Sequence, residues 1–368
     1  MIIKLFEYDG KYRVASLAKS ENVKNCLLEK DLTTLYINND KATIYPDNIT
    51  FKLREHEAEL LSASCDFDVF EISSCGNAYK YYNNASIDNA ILVTNRCNSN
   101  CIMCPTAEVI RKGNEEYNVD ELIEIVKHFP SDSSHITITG GEPFLIKKDI
   151  FRLLNYLKMN LPNTSYLLLT NGRAFCNIEY SDLFKQTSPF DIQLGIPIHG
   201  YNSQTHDYIT NTDGSFKQTY IGLKRLLSIG AKVELRIVVS KLNSDFISEI
   251  AYLISKEFHN VFCVKFIGLE MTGNAAKNRE KVWIDYPTAF KKAKNAIDIL
   301  VESGLDVGIY NFPLCSVDKK YWNICEKSIS DYKVRFAPVC AACAVKDACG
   351  GMFSGTIRMA KETINPIR

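Results

Sequence analysis

From residue 89 onward, short apolar runs alternate with longer stretches whose apolar positions fall three and four apart. Ala90–Thr94, His135–Thr139, Tyr166–Thr170, Asp191–Pro197, Lys232–Val239 and Val261–Phe266 read as strands. Val119–Phe129, Asp149–Asn160, Ser181–Gln186, Phe216–Ser228 and Asp245–Phe258 read as the helices between them, and Pro287–Ser303 follows the sixth strand. Apolar strands alternating with amphipathic helices build parallel βαβ units, because parallel neighbours need a crossover connection. The expected fold class is therefore α/β.

Residues 1–88 have a different texture. Lys41–Tyr45 and Ile49–Leu53 read as short strands, with turns at Asn38-Asn39-Asp40 and Pro46-Asp47-Asn48. Arg54–Leu61 reads as a helical turn or two. The division expected is a small β-rich domain over 1–88, the βαβ domain over 89–304 and a cysteine-rich extension over 305–368.

Composition narrows the class. A chain of 368 residues with 46% hydrophobic content can bury a large core. Lysine plus arginine equals aspartate plus glutamate at 43 each, so no global charge draws the chain to nucleic acid or an anionic membrane. No apolar run approaches the roughly 20 residues that span a bilayer, and charge interrupts the first residues too soon for a signal peptide. Thirteen cysteines, an odd number, do not read as a disulfide framework. Reduced thiols in the cytoplasm are the consistent expectation. Cys26, Cys65, Cys75, Cys176 and Cys263 lack ligand spacing and read as structural thiols.

The candidate chemistry begins directly after the first strand. Cys97, Cys101 and Cys104 stand at C-x3-C-x2-C within Asn95–Pro105. A tight loop of this kind can aim three thiolates at one point. Thiolates hold [4Fe–4S] clusters, and three of them leave one of the four irons open to a small molecule. A structural zinc site wants four ligands, usually as two close pairs, and a chance cluster of three cysteines in eight residues is the remaining alternative.

The second motif, Gly140-Gly141-Glu142-Pro143, follows the strand at His135–Thr139. Together with the cysteine loop it resembles the radical S-adenosylmethionine (SAM) enzymes over most of residues 89–368. Six βαβ units fit the partial (β/α)6 barrel of that family, with the site at the C-terminal ends of the strands. The resemblance implies that Cys97, Cys101 and Cys104 hold a [4Fe–4S] cluster and that SAM chelates its fourth iron. A reduced cluster then passes one electron to the sulfonium, giving methionine and a 5′-deoxyadenosyl radical that abstracts hydrogen from an unactivated carbon. Many members carry an aromatic residue just before the third cysteine, and here it is Met103.

The resemblance further implies that Gly140, Gly141, Glu142 and Pro143 contact the SAM amino group. Asn171, in Thr170-Asn171-Gly172, and His199, in Pro197-Ile198-His199-Gly200, end the third and fourth strands, where they could bind ribose or substrate. His199 is equally compatible with a satisfied surface histidine. Arg236 lies inside a strand. Pointing inward it needs an anion, for which the SAM carboxylate is suited; pointing outward it forms a structural ion pair. Glu270 and Asn274 follow the sixth strand as candidate lining of the adenosine pocket. No catalytic acid or base is assigned.

A second cysteine set, Cys340, Cys343 and Cys349, is C-x2-C-x5-C, with Cys315 upstream and Cys325 in the connector. Cys315, Cys340, Cys343 and Cys349 could ligate an auxiliary [4Fe–4S] cluster, and a tetrathiolate zinc site is the alternative. This region resembles the auxiliary-cluster extensions (SPASM/twitch-like) of peptide-modifying radical SAM enzymes, most of all the maturases of the His-Xaa-Ser system. That resemblance implies a ribosomally made precursor peptide as substrate, a sister radical SAM protein as partner and an electron donor such as flavodoxin or ferredoxin. Small-molecule modification in cofactor biosynthesis, or a metal-bound peptide-recruiting scaffold without turnover, are the alternatives.

Overall fold

The computed structural model describes residues 2–113 and 118–368. The first strands are β1 (Ile2–Lys4), β2 (Arg13–Ala18), β3 (Thr34–Asn38), β4 (Lys41–Tyr45), β5 (Ile49–Lys52), β6 (Val69–Ile72) and β7 (Asn77–Tyr82). They form one mixed sheet in the order β1-β7-β6-β2-β3-β4-β5. Helices Glu21–Glu29 and Glu55–Ser62 accompany it, so the β-rich expectation holds with more helix than anticipated. Every residue of the central β2 is buried. Strand β2 is covered partly by the barrel: Val14, Val69 and Tyr82 join the barrel's apolar core, and the Tyr82 ring meets Phe129 at 4.6 Å.

The second sheet is all parallel. Its strands are β8 (Asn89–Leu92), β9 (His135–Thr139), β10 (Ser165–Leu169), β11 (Ile192–Pro197), β12 (Lys232–Val239), β13 (Cys263–Gly268), β14 (Val307–Tyr310) and β15 (Cys325–Glu326). They pair strictly with their chain neighbours, in the order β15-β14-β13-β12-β11-β10-β9-β8. This is the partial barrel expected, with eight strands where six were anticipated. Strand β14 and the two-residue β15 come from the segment assigned to the cysteine-rich extension, which continues the sheet.

Local chemistry explains the elements. The helix Val119–Lys127 starts at a capping box in which the Asn118 side chain accepts from Asp120 N and the Glu121 carboxylate accepts from Asn118 N at 3.0 Å. Along β12, Val233, Leu235, Ile237 and Val239 pack into the apolar core, while Glu234 and Arg236 alternate onto the other face. Among the described residues, no helix is long and apolar enough to cross a membrane.

Candidate active site

Because β8 to β11 run parallel, the segments that leave their C-terminal ends meet along one edge of the sheet. The cysteine loop leaves β8, Gly140–Pro143 leaves β9, Asn171 follows β10 and His199 follows β11. The structure thus brings together four stretches separated by up to about a hundred residues of chain.

The first contact is backbone to backbone. Gly141 N donates to Thr94 O at 2.7 Å and Glu142 N donates to Arg96 O at 2.8 Å. Gly140 adopts φ +158°, and a Cβ on either glycine would collide with the backbone of Thr94 or Arg96. The glycines are therefore needed to seat the turn against the start of the cysteine loop. Pro143 opens a short 3-10 helix, Pro143–Ile146.

Glu142 is 1% exposed, and its carboxylate is fully engaged. Oε1 accepts from the Thr170 hydroxyl at 2.7 Å and Phe144 N at 3.1 Å, and Oε2 accepts from Asn171 N at 2.7 Å. Burial pushes this carboxyl upward, against those bonds and the nearby Arg173 charge. Glu142 therefore ties the ends of β9 and β10 together. Asn171 extends the tie, donating from Nδ2 to Asn98 Oδ1 at 2.7 Å.

The cysteine loop is clamped from outside by residues that its motif does not announce. Arg111 donates to Ser99 O and to Asn100 Oδ1, both at 2.6 Å. Arg173 donates to Asn98 O at 2.8 Å and to Ser99 Oγ at 2.9 Å. Asn274 Nδ2 donates to Asn100 Oδ1 at 3.0 Å and Cys101 O at 3.1 Å, and Asn278 Nδ2 donates to Ile102 O at 3.0 Å. Asn274 thus clamps the loop. Glu270 instead faces Lys333 at 3.4 Å. Met103 is buried with Ile209, Leu269 and Met271, so it serves as packing.

Cys97, Cys101 and Cys104 lie close enough that each thiol's charge bears on the others. Burial holds Cys97 above its ordinary value and pushes Cys101 up to about 12. Ser99 N donates to Cys97 Sγ at 3.4 Å, the kind of bond that favours a thiolate. Among the described residues no three Cys, His, Asp or Glu side chains converge closely enough for a single metal ion. A cubane places each thiolate on a different iron and so fits a wider arrangement.

His199 is 4% exposed, which overturns the surface alternative. Its Nδ1 is buried without a hydrogen-bond partner among the described residues, and its backbone N donates to His206 Nδ1 at 3.3 Å. Burial holds the His199 imidazole down at about 3 and His206 at about 4, so both are neutral at pH 7. Arg236 points to the inner face, as one expectation had it, but its anion is within the protein: Nε donates to Glu234 Oε1 at 2.5 Å. Glu234 also accepts from Gln193 Nε2 at 2.6 Å. Alongside, Lys265 pairs with Glu326 at 2.7 Å, and Gly308 leaves room for both side chains.

Cys315, Cys340, Cys343 and Cys349 line one small pocket, walled by Pro313, Leu314, Phe336 and Met352. Leu314 N and Gly351 N donate to Cys349 Sγ, both at 3.4 Å. Cys325 opens β15 and directs its thiol to Tyr321 O at 3.5 Å, and it is not among the residues that line that pocket. Sequence reading missed Arg111, Arg173 and Asn278. It also missed the inner pairs, although alternating charges within β12 carried a period-two signal for Glu234.

Residues 91–254 match the radical SAM superfamily. The chain is 27% identical over 196 residues to the AdoMet-dependent heme synthase of Methanosarcina barkeri, covering 53% of this chain and 54% of that one. It is 30% identical over 209 residues to the GTP 3′,8-cyclase of Peptoclostridium acidaminophilum, covering 55% of this chain and 61% of that one. The chain thus spans little more than half the length of these curated relatives. Streptococcus suis SuiB, in its structure bound to the precursor peptide SuiA, superposes with a TM-score of 0.50 at 14% identity, covering 61% of this chain and 48% of SuiB. That likeness concerns the fold.

Proposed function

The chain carries a radical SAM domain, and on that premise we propose that it is an enzyme that cleaves SAM reductively and modifies a ribosomally made precursor peptide at a carbon centre. Cys97, Cys101 and Cys104 would hold the [4Fe–4S] cluster. When bound, that cluster would supply the electron for the reductive cleavage of SAM.

The protein's own residues orient and enclose. The backbone of Gly140–Pro143 offers carbonyls to the SAM ammonium, kept in place by the Glu142 tie to Thr170 and Asn171. His199, with a neutral ring and an unpartnered buried Nδ1, offers a hydrogen bond at the strand end where ribose or substrate would lie. Arg236 can reach the SAM carboxylate by sharing its charge between that group and Glu234. Gln193, Glu234, Lys265 and Glu326 then give the barrel interior a polar lining suited to a polar substrate segment.

The observation that carries the peptide reading is the cavity shared by Cys315, Cys340, Cys343 and Cys349 behind the barrel. We assign it to an auxiliary [4Fe–4S] cluster. A tetrathiolate zinc site is the alternative for the same four ligands. SuiB, whose fold this barrel shares, was crystallised with a precursor peptide. The division into a β-rich domain (1–88), a barrel (89–304) and an auxiliary-cluster region (305–368) belongs to the same reading, as do the sister radical SAM protein, a flavodoxin or ferredoxin donor and a cytoplasmic location.

A second reading has its own support. The sequence relatives act on small molecules by name, a GTP cyclase and a heme synthase, so the substrate could be a small cofactor precursor. The deciding experiment supplies a carbon-deuterated precursor peptide under anaerobic reductant. Deuterium in the recovered 5′-deoxyadenosine supports the peptide substrate. Its absence, with transfer from a small molecule instead, supports the alternative.

A further inference from the structure

Among the described residues, two of the buried cations come with carboxylate partners, and one, at the cysteine loop, does not. Buried Arg13 pairs with Asp9 and Asp47, and buried Lys265 pairs with Glu326. Arg111, 4% exposed, has no carboxylate partner among the described residues. Its bonds to the described residues go to neutral oxygens: Nε to Thr106 O at 3.3 Å, Nη1 to Ser99 O and Nη2 to Asn100 Oδ1. A guanidinium buried without a counter-charge is costly. Two of its acceptors lie between Cys97 and Cys101, so the charge sits against the loop itself.

Resting on the reading that Cys97, Cys101 and Cys104 hold a [4Fe–4S] cluster, we propose that Arg111 is a positioning residue whose buried charge raises that cluster's reduction potential. Thiolate ligands bring negative charge into the space beside Arg111. One-electron reduction adds one more negative charge and takes up no atoms. A nearby cation in a poorly screened site favours the more negative state, and cluster potentials respond to local charge and hydrogen bonding. Arg173 is also bonded, among the described residues, to neutral oxygens only, those of Asn98, Ser99 and Gln218. It is only half-buried, so solvent should weaken its effect.

The test is a redox titration of the anaerobically reconstituted full chain. It follows by EPR the reduced-cluster signal that changes on adding SAM, which distinguishes the loop cluster from the auxiliary one. Arg111→Gln is expected to lower the reduced-to-oxidised ratio at fixed potential by roughly tenfold, about 59 mV for one electron. Arg111→Lys keeps the charge and should retain most of the wild-type potential. Asn100→Asp keeps the shape of the Nη2 contact while adding a counter-charge, and should shift the potential in the same direction as Arg111→Gln. It serves if Arg111→Gln fails to assemble. Equal shifts in Arg111→Lys and Arg111→Gln, or unmoved potentials in the iron-loaded variants, overturn the inference and leave the proposed function standing. A wild-type chain that takes up no iron overturns both.

Discussion

At Gly141 one hydrogen atom decides whether the site can close. A methyl group there would overlap the Arg96 carbonyl, which belongs to the backbone that leads into Cys97. Gly141→Ala should destabilise the fold by about 1–3 kcal/mol, the usual range for overpacking, and reduce iron uptake. Thermal unfolding and iron analysis of the same sample check this. Retention of full iron content would mean that the turn does not support the loop. The two cysteine sets should also separate: Cys104→Ala is expected to abolish SAM cleavage, whereas Cys343→Ala should leave uncoupled cleavage. Chromatography of 5′-deoxyadenosine measures both, and equal loss with the fold intact would argue against distinct roles. At this scale the sequence displayed the cysteines, the glycine turn and Asn171. It did not display Arg111 or Arg173, because most of their acceptors are backbone or hydroxyl oxygens of the loop, which any sequence could present.

Between elements, the inner face of the barrel is held by ion pairs that reach from β13 over β14 to β15 or lie along one strand. Arg236→Met would leave Glu234 with Gln193 but without its cation. Loss of about 2–3 kcal/mol is expected, as for a hydrogen bond to a charged group. In the double variant Glu234→Gln/Arg236→Met the loss should be smaller than the two single losses added together. Denaturant unfolding gives the numbers, and strict additivity would show that the pair is not coupled. Strands β9 and β12 have the bounds that hydrophobic alternation predicts, and β13 lies two residues further on. Strands β14 and β15 carry only four and two residues. Runs that short give too little periodicity to read, so sheet pairing rather than pattern defines them.

Across the whole molecule, the β-rich sheet and the barrel are joined through a buried histidine. The ring of His128 follows the helix Val119–Lys127, and its Nδ1 lies 2.9 Å from Ser16 Oγ on β2. Its Nε2 has no hydrogen-bond partner among the described residues, since Glu124 stands 3.8 Å away. Burial holds this imidazole down at about 4. An unfolded histidine titrates near 6.5, so between about pH 6.5 and 4 the unfolded chain binds the extra proton. Stability should therefore fall as pH drops through that window. His128→Gln should flatten the decline in melting temperature relative to wild type. An unchanged slope would show that other groups govern the acid response. Nothing in the sequence marked His128, because its partner is 112 residues away on a strand that pattern alone did not reveal.

The most direct measurement is made on the intact chain, loaded with iron and sulfide without oxygen, reduced and given SAM. Methionine and 5′-deoxyadenosine should appear in equal amounts from the wild-type protein and be absent from Cys104→Ala. An iron-loaded wild type that leaves SAM intact with substrate supplied, or a Cys104→Ala variant that cleaves it equally well, would contradict the assignment of the open iron to this loop.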